Sequence, residues 1–416
     1  MSGQLTILLS AYACEPGRGS EPGVGWNWAR HLARNHKVWV ITRSNNRAPI
    51  EAALSREPLP NLRFLYYDLP RWARFWKRGS FGLRPYYYLW QVGAWRAARR
   101  LSRQVHFDLV HHVTFVRYWT PSFLALLDAP FIWGPVGGAE SAPKPFRASF
   151  SMRGKLYDSA RSLLRRIGGL DPFVAMTARR AAIGFATTPD TAARLSALGC
   201  RDVRIFSEPA LSDDDLVKLA RATPHRDRSI RIVSLGNLIH LKAFDLSLRA
   251  FARFIENGGD GEYCLVGDGP ERRRLERLAA ELGVADRVTF TGMLPRERAI
   301  DILTRSDVLA HPSLHDSGGW TCLEAMAAGR PVVCLDLGGP AQQITSETGI
   351  KIPAVSPEQA VTDIALAFET LACNPDLRAR MGDAGRARVL RDYAWSTKPS
   401  RLLSLCPLPS RVEVRQ

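Results

Sequence analysis

The sequence predicts an α/β protein with two doubly wound, parallel-sheet domains. Its 416 residues exceed one ordinary domain, and two domains of roughly 200 residues are the usual outcome. Short apolar runs alternate with helical patterns, which is typical of parallel strands joined by helices. The alternation restarts at residue 230, after a polar and charged stretch. We therefore expect a first domain at residues 1–208, a linker at 209–228 and a second domain at 229–395.

Each predicted strand of the first domain is a short apolar run, as expected of strands buried on both faces. These runs lie at residues 5–10, 38–42, 61–67, 109–112, 131–134, 184–188 and 203–206. Helical patterns lie between them at residues 24–35 and 96–104. The chain start lacks the basic residues of a signal peptide, so we interpret the first run as a buried strand.

The second domain repeats this alternation. Its predicted strands lie at residues 230–235, 262–266, 288–291, 308–310 and 331–335. Its predicted helices lie at residues 245–257, from the turn 267–270 through 281, at 321–328, and at 375–405 with a break near 393–396. Because strands and helices alternate, we expect the second sheet to be parallel as well.

Composition limits the classes of protein that need considering. Hydrophobic residues make up 46% and charged residues 23% of the chain, as in globular proteins. The seven cysteines show no metal-ligand or redox spacing, so we expect a reducing compartment and no structural zinc. No apolar run approaches the roughly 20 residues of a membrane span. We expect a cytoplasmic protein, either soluble or attached peripherally to the inner face of a membrane.

The formal net charge of +17 is unevenly distributed. Residues 71–103, the basic aromatic stretch, contain nine Arg or Lys, nine aromatic residues and no acid. Cations mixed with aromatic residues suit an anionic bilayer surface. A second basic stretch at residues 153–166 has a helical pattern that includes Leu156, Leu163 and Leu164. The alternatives are a solvated basic surface and nucleic-acid binding; we expect no nucleic-acid partner, because no motif for one is present.

The strongest functional signal is a polar, glycine-rich loop followed by the predicted helix at 321–328. Gly318, Gly319 and Trp320 precede the helix, where free backbone N–H groups and the helix dipole favour an anion. Asp316 and Glu324 lie on either side. Carboxylates repel phosphate, so we expect these two to bind neutral hydroxyls of a sugar or ribose. A nucleotide-sugar satisfies both demands, and a capped helix that binds nothing is the alternative.

This segment resembles a known family. Asp316, seven residues, Glu324 and then Ala-Met-Ala-Ala-Gly-Arg-Pro-Val-Val are similar to the donor-site signature of retaining glycosyltransferase family 4, or group 1. The family has Glu at the position of Asp316. The resemblance is clear over residues 230–395 and weaker over the first 200. It implies the GT-B fold, in which two Rossmann-like domains face each other across a cleft and a C-terminal helix, here at about 396–416, packs back on the first domain.

The resemblance also implies a set of donor-binding residues in the second domain. The family's Gly-Arg-Leu-x-x-x-Lys-Gly binds the donor diphosphate, and here it reads Gly236-Asn-Leu-Ile-His-Leu-Lys-Ala243. Asn in place of Arg removes a charge-assisted contact, which is worth about 1.5–3 kcal/mol. Glu324 is expected to accept from the ribose hydroxyls, and Asp316 to hold the transferred sugar beside the reacting carbon. The implied donor-binding residues are Gly236, Asn237, Lys242, Met293, Leu294, Gly318, Gly319, Trp320, Thr321 and Glu324.

In the first domain, residues 13–26 look like the family's glycine-rich first loop, although a merely flexible loop is the alternative. His111 and His112 end a predicted strand, in a region where the family often has a catalytic His near the acceptor. Alternate strand residues face opposite sides, so the sequence does not choose between the two, and a structural role is equally open. The residues expected in the loop or at the acceptor are Gly17, Gly19, Ser20, Glu21, Gly23 and Glu140.

The resulting hypothesis is a retaining glycosyltransferase that uses a nucleoside-diphosphate sugar and no metal ion or other cofactor. A lipid-linked acceptor, such as a polyprenyl-linked sugar, would fit the basic aromatic stretch. The acids at 213–215 are interpreted as the charged start of a helix rather than as metal ligands. Two rivals remain: an inactive GT-B scaffold, suggested by Asn237 and Asp316, and a nucleotide-sugar epimerase of the same fold. The donor sugar, the base and the acceptor stay open.

Overall fold

The computed structural model describes residues 3–77, 82–148, 150, 152–221 and 229–406. These residues form two parallel sheets, one of seven strands and one of six. The prediction of an α/β protein with two doubly wound sheets is confirmed. The chain divides into two compact units. The first is Met1–Ala139, Ser162–Glu208 and Trp395–Gln416, and the second is Glu140–Arg161 and Pro209–Ala394.

The sheet of the first unit has the order β3-β2-β1-β4-β5-β6-β7. Ile7, Leu8 and Leu9 of the central first strand are fully buried, as a strand covered on both faces requires. The strands are β1 (Thr6–Ser10), β2 (Lys37–Thr42), β3 (Leu62–Tyr66), β4 (Leu109–His112), β5 (Phe131–Val136), β6 (Ala181–Ala186) and β7 (Val203–Ile205).

The sheet of the second unit has the order β10-β9-β8-β11-β12-β13, with β8 beside both β9 and β11. Its strands are β8 (Ile230–Leu235), β9 (Gly261–Val266), β10 (Val288–Gly292), β11 (Val308–His311), β12 (Val332–Leu335) and β13 (Gly349–Ile352). A buried hydroxyl network ties this sheet to the helix that follows β8. Tyr263 Oη lies 2.7 Å from Ser234 Oγ and 2.6 Å from Ser247 Oγ, so each buried hydroxyl has a partner.

Helices connect the strands. Those before β8 are α1 (Ser20–Leu32), α2 (Arg47–Arg56), α3 (Leu83–Leu101), α4 (Lys144–Arg147), α5 (Met152–Gly169), α6 (Pro172–Arg180), α7 (Pro189–Ala197) and α8 (Asp213–Ala220). Those after it are α9 (Phe244–Glu256), α10 (Arg272–Glu281), α11 (Arg296–Arg305), α12 (Trp320–Ala327), α13 (Gly338–Gln343), α14 (Pro357–Cys373), α15 (Pro375–Asp392) and α16 (Lys398–Ser404). Within the described part of the chain, none of them has the length and apolarity needed to cross a bilayer.

The division into units differs from the expected domain limits in two places. Residues 140–161, expected in the first domain, cluster with the second unit. Residues 209–221, expected in a linker, also cluster with the second unit and contain α8, while 222–228 lie outside the described residues. The acids at 213–215 form the first turn of α8, as predicted, and Ser212 caps this helix.

The basic aromatic stretch proves to contain a long helix. The predicted helix at 96–104 is the end of α3, which begins at Leu83. Tyr86, Tyr87 and Trp90 face the core of the first unit and are at most 4% exposed. They are core residues rather than interfacial ones, because α3 is amphipathic and buries one face. Trp72 and Phe75 are 78% exposed, whereas Arg78 and Phe81 lie outside the described residues.

Candidate functional site

Three neighbouring strands of the second sheet end in glycines with left-handed φ angles. Gly236, Gly267 and Gly292 follow or end β8, β9 and β10, with φ of +148°, +140° and +74°. A Cβ on Gly267 would clash with the carbonyl of Gly236, and the Gly267 amide donates to the carbonyl of Gly292 at 3.0 Å. Bare backbone therefore lines the carboxyl edge of this sheet, which is where doubly wound sheets bind ligands.

The turn after β8 places Lys242 at this edge. Residues His240–Lys242 form a short 3-10 turn, and Ala243 then adopts a left-handed conformation with φ of +48°. This angle explains why the family has Gly at this position, because glycine adopts it freely whereas an L-residue adopts it only at a cost in conformational energy. The amide of Leu314 donates to the carbonyl of Leu241 at 2.9 Å, so the turn is tied to the loop after β11.

Asp316 is the centre of the site. Its Oδ2 accepts from Lys242 Nζ at 2.6 Å and from His311 Nε2 at 3.1 Å. Its Oδ1 accepts from the amides of Gly318 at 3.1 Å and Gly319 at 2.9 Å. Burial by itself would raise the pKa of Asp316, but the hydrogen bond from His311 and the charge of Lys242 outweigh it and hold the pKa well below its usual range.

These contacts correct one expectation. The amides of Gly318 and Gly319 are not free to bind an anion, because the carboxylate of Asp316 takes both. The left-handed Gly319, with φ of +69°, turns its own amide and the preceding one towards that carboxylate. The amides of Trp320 and Thr321 come next, at the start of α12, where N–H groups have no partner within a helix. At this loop, the amides left for the anion expected from the sequence are therefore those of Trp320 and Thr321.

The four contacts also bear on the expected role of Asp316. A carboxylate offers about four acceptor positions, and here four protein donors use them. Asp316 therefore organises Lys242, His311 and the loop. A sugar hydroxyl would have to share or displace one of these donors.

Glu324 lies on the first turns of α12 and is paired with a residue that the sequence analysis missed. Arg296 Nη2 lies 2.6 Å from Glu324 Oε1, and its Nη1 lies 2.7 Å from Asp215 Oδ1. Burial raises the pKa of Glu324 above its usual value, although the charge of Arg296 acts in the opposite direction. A buried carboxylate needs a partner, and this requirement was the available signal for Arg296, the first residue of α11.

The other predicted donor-binding residues differ in exposure. Asn237 is exposed on the turn after β8, and Met293 is 65% exposed after β10. Leu294 is partly buried against the hydrophobic core of the second unit. Trp320 and Thr321 are half-buried at the start of α12. The members of this group that remain accessible to a ligand are Asn237, Met293, Trp320 and Thr321.

His311 is a further residue that the sequence analysis did not select. It is 2% exposed and ends β11, directly beside Asp316. Burial and the nearby Lys242 lower the pKa of His311, so the imidazole is neutral near pH 7. Its role in this geometry is to donate from Nε2 to Asp316.

His111 and His112 have separate partners in the first unit. His111 Nε2 lies 2.7 Å from the carbonyl of Gly134, and its ring packs edge-on against Trp28. His112 Nε2 lies 3.0 Å from Tyr87 Oη. Both imidazoles are 1% exposed, and burial lowers the pKa of His111 to about 3 and that of His112 to about 4. Neither is accessible to a ligand in this conformation, which disagrees with the expectation that one of them faces the acceptor.

The glycine-rich loop leads directly into α1, which begins at Ser20 rather than near residue 24. Glu21 accepts from the amide of Phe115 at 2.8 Å. Gly23 packs so closely on Arg18 that a Cβ would clash with its carbonyl. The remaining expected residues are Gly17 and Gly19, which have open space around them, and Glu140, which is 2% exposed and clusters with the second unit.

Comparison with known proteins identifies the family. Residues 218–388 match the sequence model described as glycosyl transferases group 1. The chain is 32% identical over 267 residues, 62% of its length and 67% of the relative's, to a GDP-mannose-dependent alpha-(1-6)-phosphatidylinositol monomannoside mannosyltransferase of Mycolicibacterium smegmatis. It is 28% identical over 376 residues, 84% of its length and 82% of the relative's, to a 2-deoxystreptamine N-acetyl-D-glucosaminyltransferase of Streptomyces fradiae. The chain belongs to the group 1 glycosyltransferases.

Other matches are shorter. A 2-deoxystreptamine glucosyltransferase of Streptomyces kanamyceticus is 39% identical over 105 residues, which are 25% of this chain and 27% of that protein. Solved structures show the fold. Sucrose-phosphate synthase from Thermosynechococcus elongatus matches with a TM-score of 0.59 and 19% identity, over 97% of this chain and 98% of that one. WaaG, a glycosyltransferase involved in lipopolysaccharide biosynthesis, matches with a TM-score of 0.57 and 17% identity, over 96% and 99%. The expected GT-B fold is therefore confirmed.

Proposed function

We propose that the protein is a retaining glycosyltransferase that moves a sugar from a nucleoside-diphosphate sugar to an acceptor hydroxyl. The observation that carries the proposal is the cluster of Lys242, Asp316 and the start of α12 at the glycine-lined edge of the second sheet. A diphosphate leaving group gains negative charge as the sugar departs. A lysine and the N-terminus of a helix, both fixed in advance, stabilise that charge.

Asp316 contributes by orienting the lysine. The 2.6 Å ion pair holds Lys242 at the sheet edge before a donor arrives, which lowers the cost of ordering it. A diphosphate would share Lys242 and accept from the amides of Trp320 and Thr321. Glu324 would accept from the ribose hydroxyls, with Arg296 offsetting its charge against the phosphates.

Retention and the absence of a metal ion are part of the proposal and follow from the family resemblance. The leaving phosphate would help to deprotonate the acceptor hydroxyl on the face from which it leaves, so no protein nucleophile is assigned. Lys242 and α12 would supply the positive charge that a metal ion supplies in other transferases. Turnover in excess EDTA and an unchanged anomeric configuration in the product, measured by NMR, are the expected results.

The acceptor is proposed to be lipid-linked or part of a cell-envelope polysaccharide or glycolipid. One relative is a phosphatidylinositol monomannoside mannosyltransferase, and another is a lipopolysaccharide core glycosyltransferase of Rhizobium meliloti. The exposed Trp72 and Phe75 lie close in sequence to Arg74 and Lys77, a combination suited to an anionic membrane surface. We accordingly place the protein in the cytoplasm, bound peripherally to the inner face of the membrane.

Thermal unfolding with UDP-, GDP-, ADP- and dTDP-sugars tests the donor site. A ligand at about 100 times its Kd adds roughly 2.7 kcal/mol to the unfolding free energy. We expect one nucleotide-sugar to raise Tm, and Glu324→Ala or Lys242→Gln to abolish the increase. Glu358→Ala, at an exposed position on α14, is the matched control and should keep it.

The same titration separates the rival functions. No increase in Tm with any nucleotide-sugar would favour an inactive scaffold, since Asn237 supplies no charge to the diphosphate. Consumption of a donor without any acceptor, followed by NMR, would favour an epimerase.

A further inference from the structure

The first unit contains a cavity of about 690 Å³ that the donor site does not use. It lies between the first turns of α3 and the segment that follows β4. Two exposed arginines, Arg84 and Arg117, are among its lining residues. Its aromatic walls are formed by Tyr87, Tyr88, Phe115 and Trp119.

Trp119 is held in place by close backbone contacts. A Cβ on Gly138 would lie 2.5 Å from its ring, and a Cβ on Gly168 would lie 2.8 Å from its Cβ. Arg117 and Arg165 lie over the ring, with guanidinium carbons 5.7 Å and 5.4 Å from its centroid. The indole is half-buried, so it is fixed without being covered. A rigid, accessible aromatic wall of this kind costs little conformational entropy on binding a ligand.

Two residues that the sequence analysis selected support the other walls. Phe115 adopts a left-handed φ of +58°. Its amide donates a hydrogen bond to the carboxylate of Glu21 at 2.8 Å. His112 lies 3.0 Å from the hydroxyl of Tyr87. Glu21 and His112 are therefore positioning residues, which hold Phe115 and Tyr87 at the cavity. A bulky residue in the left-handed region is strained, and such strain concentrates at functional sites.

The lining is apolar and positively charged. Leu83, Pro85 and Leu89 join the aromatic residues, and no carboxylate is among the described residues that line the cavity. The segment before α3 packs on the same helix, since the rings of Trp76 and Tyr86 lie 6.4 Å apart. This segment also carries the exposed Trp72 and Phe75. Apolar walls next to cations suit a ligand that has both a hydrocarbon chain and an anion.

We propose that this cavity binds the acceptor substrate, and that the acceptor is a phosphorylated lipid. Its chain packs against Leu89, Phe115 and Trp119, and its phosphate pairs with Arg84 and Arg117. This inference rests on the proposed glycosyltransferase function and adds the chemical class of the acceptor and its place in the fold.

The test is calorimetric binding of farnesyl phosphate to the full chain, below the concentration at which it forms micelles. Farnesol lacks the phosphate and glycerol 3-phosphate lacks the chain, so both serve as comparison ligands. We expect farnesyl phosphate to bind at least tenfold more tightly than either. The double variant Arg84→Gln with Arg117→Gln should bind farnesyl phosphate at least tenfold more weakly than the wild type does. The matched control, Arg100→Gln with Arg103→Gln, makes the same charge change at exposed positions near the end of α3 and should bind normally.

Three results would overturn the inference: no binding of farnesyl phosphate, equally tight binding of either comparison ligand, or equal weakening by the two double variants. The donor titration is run on the same preparations. If one of these results is obtained but a nucleotide-sugar still raises Tm, the proposed function is retained and only the acceptor assignment is rejected. Binding of farnesyl phosphate without any donor effect would overturn the assignment of this cavity to an acceptor substrate.

Discussion

At the scale of single residues, the site depends on the short side chain of Asp316. Its carboxylate accepts from two amides of its own loop and also reaches Lys242, which lies 74 residues earlier. The family's Glu is one methylene longer, whereas the shorter side chain of Asp316 hydrogen-bonds to the amides of its own loop. In the proposed function, Lys242 and the start of α12 are therefore the groups that would bind a diphosphate.

The left-handed Ala243 gives a prediction about stability. A left-handed L-residue costs about 1–2 kcal/mol, whereas glycine adopts this conformation freely. Replacing Ala by Gly also adds freedom to the unfolded chain, which costs about 0.4–1 kcal/mol. We therefore expect Ala243→Gly to raise the unfolding free energy by about 0.5–1 kcal/mol, measured by urea unfolding.

Ala280→Gly is the control for this prediction. Ala280 is an exposed residue of α10, where glycine is disfavoured by about 1 kcal/mol. The two variants should change stability in opposite directions. A loss of stability in both would show that Ala243 is not strained.

At the scale of elements, α5 presents an apolar face to solvent. Leu156, Leu163 and Ile167 are 73%, 59% and 58% exposed, and their spacing places them on one side of the helix. Lys155 and Arg166 are also exposed. An amphipathic helix of this kind binds in the interface of anionic membranes, so α5 supports the membrane part of the proposed function better than most aromatic residues of α3 do.

This face predicts membrane binding. Burial of a leucine contributes about 1.5–3 kcal/mol, so Leu156→Gln with Leu163→Gln should weaken binding to phosphatidylglycerol vesicles at least tenfold in a sedimentation assay. Leu366 and Leu390, 59% and 55% exposed on α14 and α15, allow a control pair with the same substitution. Equal binding by both pairs would remove α5 from the membrane hypothesis.

At the scale of the whole molecule, the chain leaves the first unit after Glu208 and returns to it at Trp395. Lys398 on α16 contacts the chain at both of these places within the first unit. Its Nζ donates to the carbonyl of Ser207 at 2.7 Å and to that of Glu208. It also lies 5.1 Å from the ring centroid of Trp395. Within the described residues, α16 is thus bound to the first unit.

Lys398 predicts a pH dependence of stability. Burial lowers its pKa to about 7, from an ordinary value of 10.5. Between these values the unfolded chain binds more protons than the folded one. The contribution of Lys398 to stability is therefore complete above about pH 10.5 and is lost as the pH falls towards 7.

We expect the unfolding free energy of the wild type, relative to Lys398→Met, to rise between pH 7 and 9 by at most about 1.4 kcal/mol per pH unit. Urea unfolding at several pH values measures the difference. Lys37→Met, at an exposed position on β2, should show a constant difference from the wild type over this range. A constant difference for Lys398→Met as well would contradict the prediction.

The sequence by itself determined the alternation of strands and helices, the restart at β8 and the helix that begins beside Gly318 and Gly319. These features depend on neighbours within a few residues, through hydrophobic periodicity and turn chemistry, so they can be recognised locally. The family signature in the same segment was also local, and it was enough to indicate the GT-B fold.

Only the tertiary structure decided which groups are partners. It paired Glu324 with Arg296, gave the acceptor positions of Asp316 to four protein donors, and placed His112 behind Tyr87. It also buried one aromatic face of α3 while leaving an apolar face of α5 exposed. The physical reason is that a buried charge or polar group takes its partner from whatever packing brings near. Lys242 and Asp316, for example, are 74 residues apart in the sequence, beyond the reach of any local pattern.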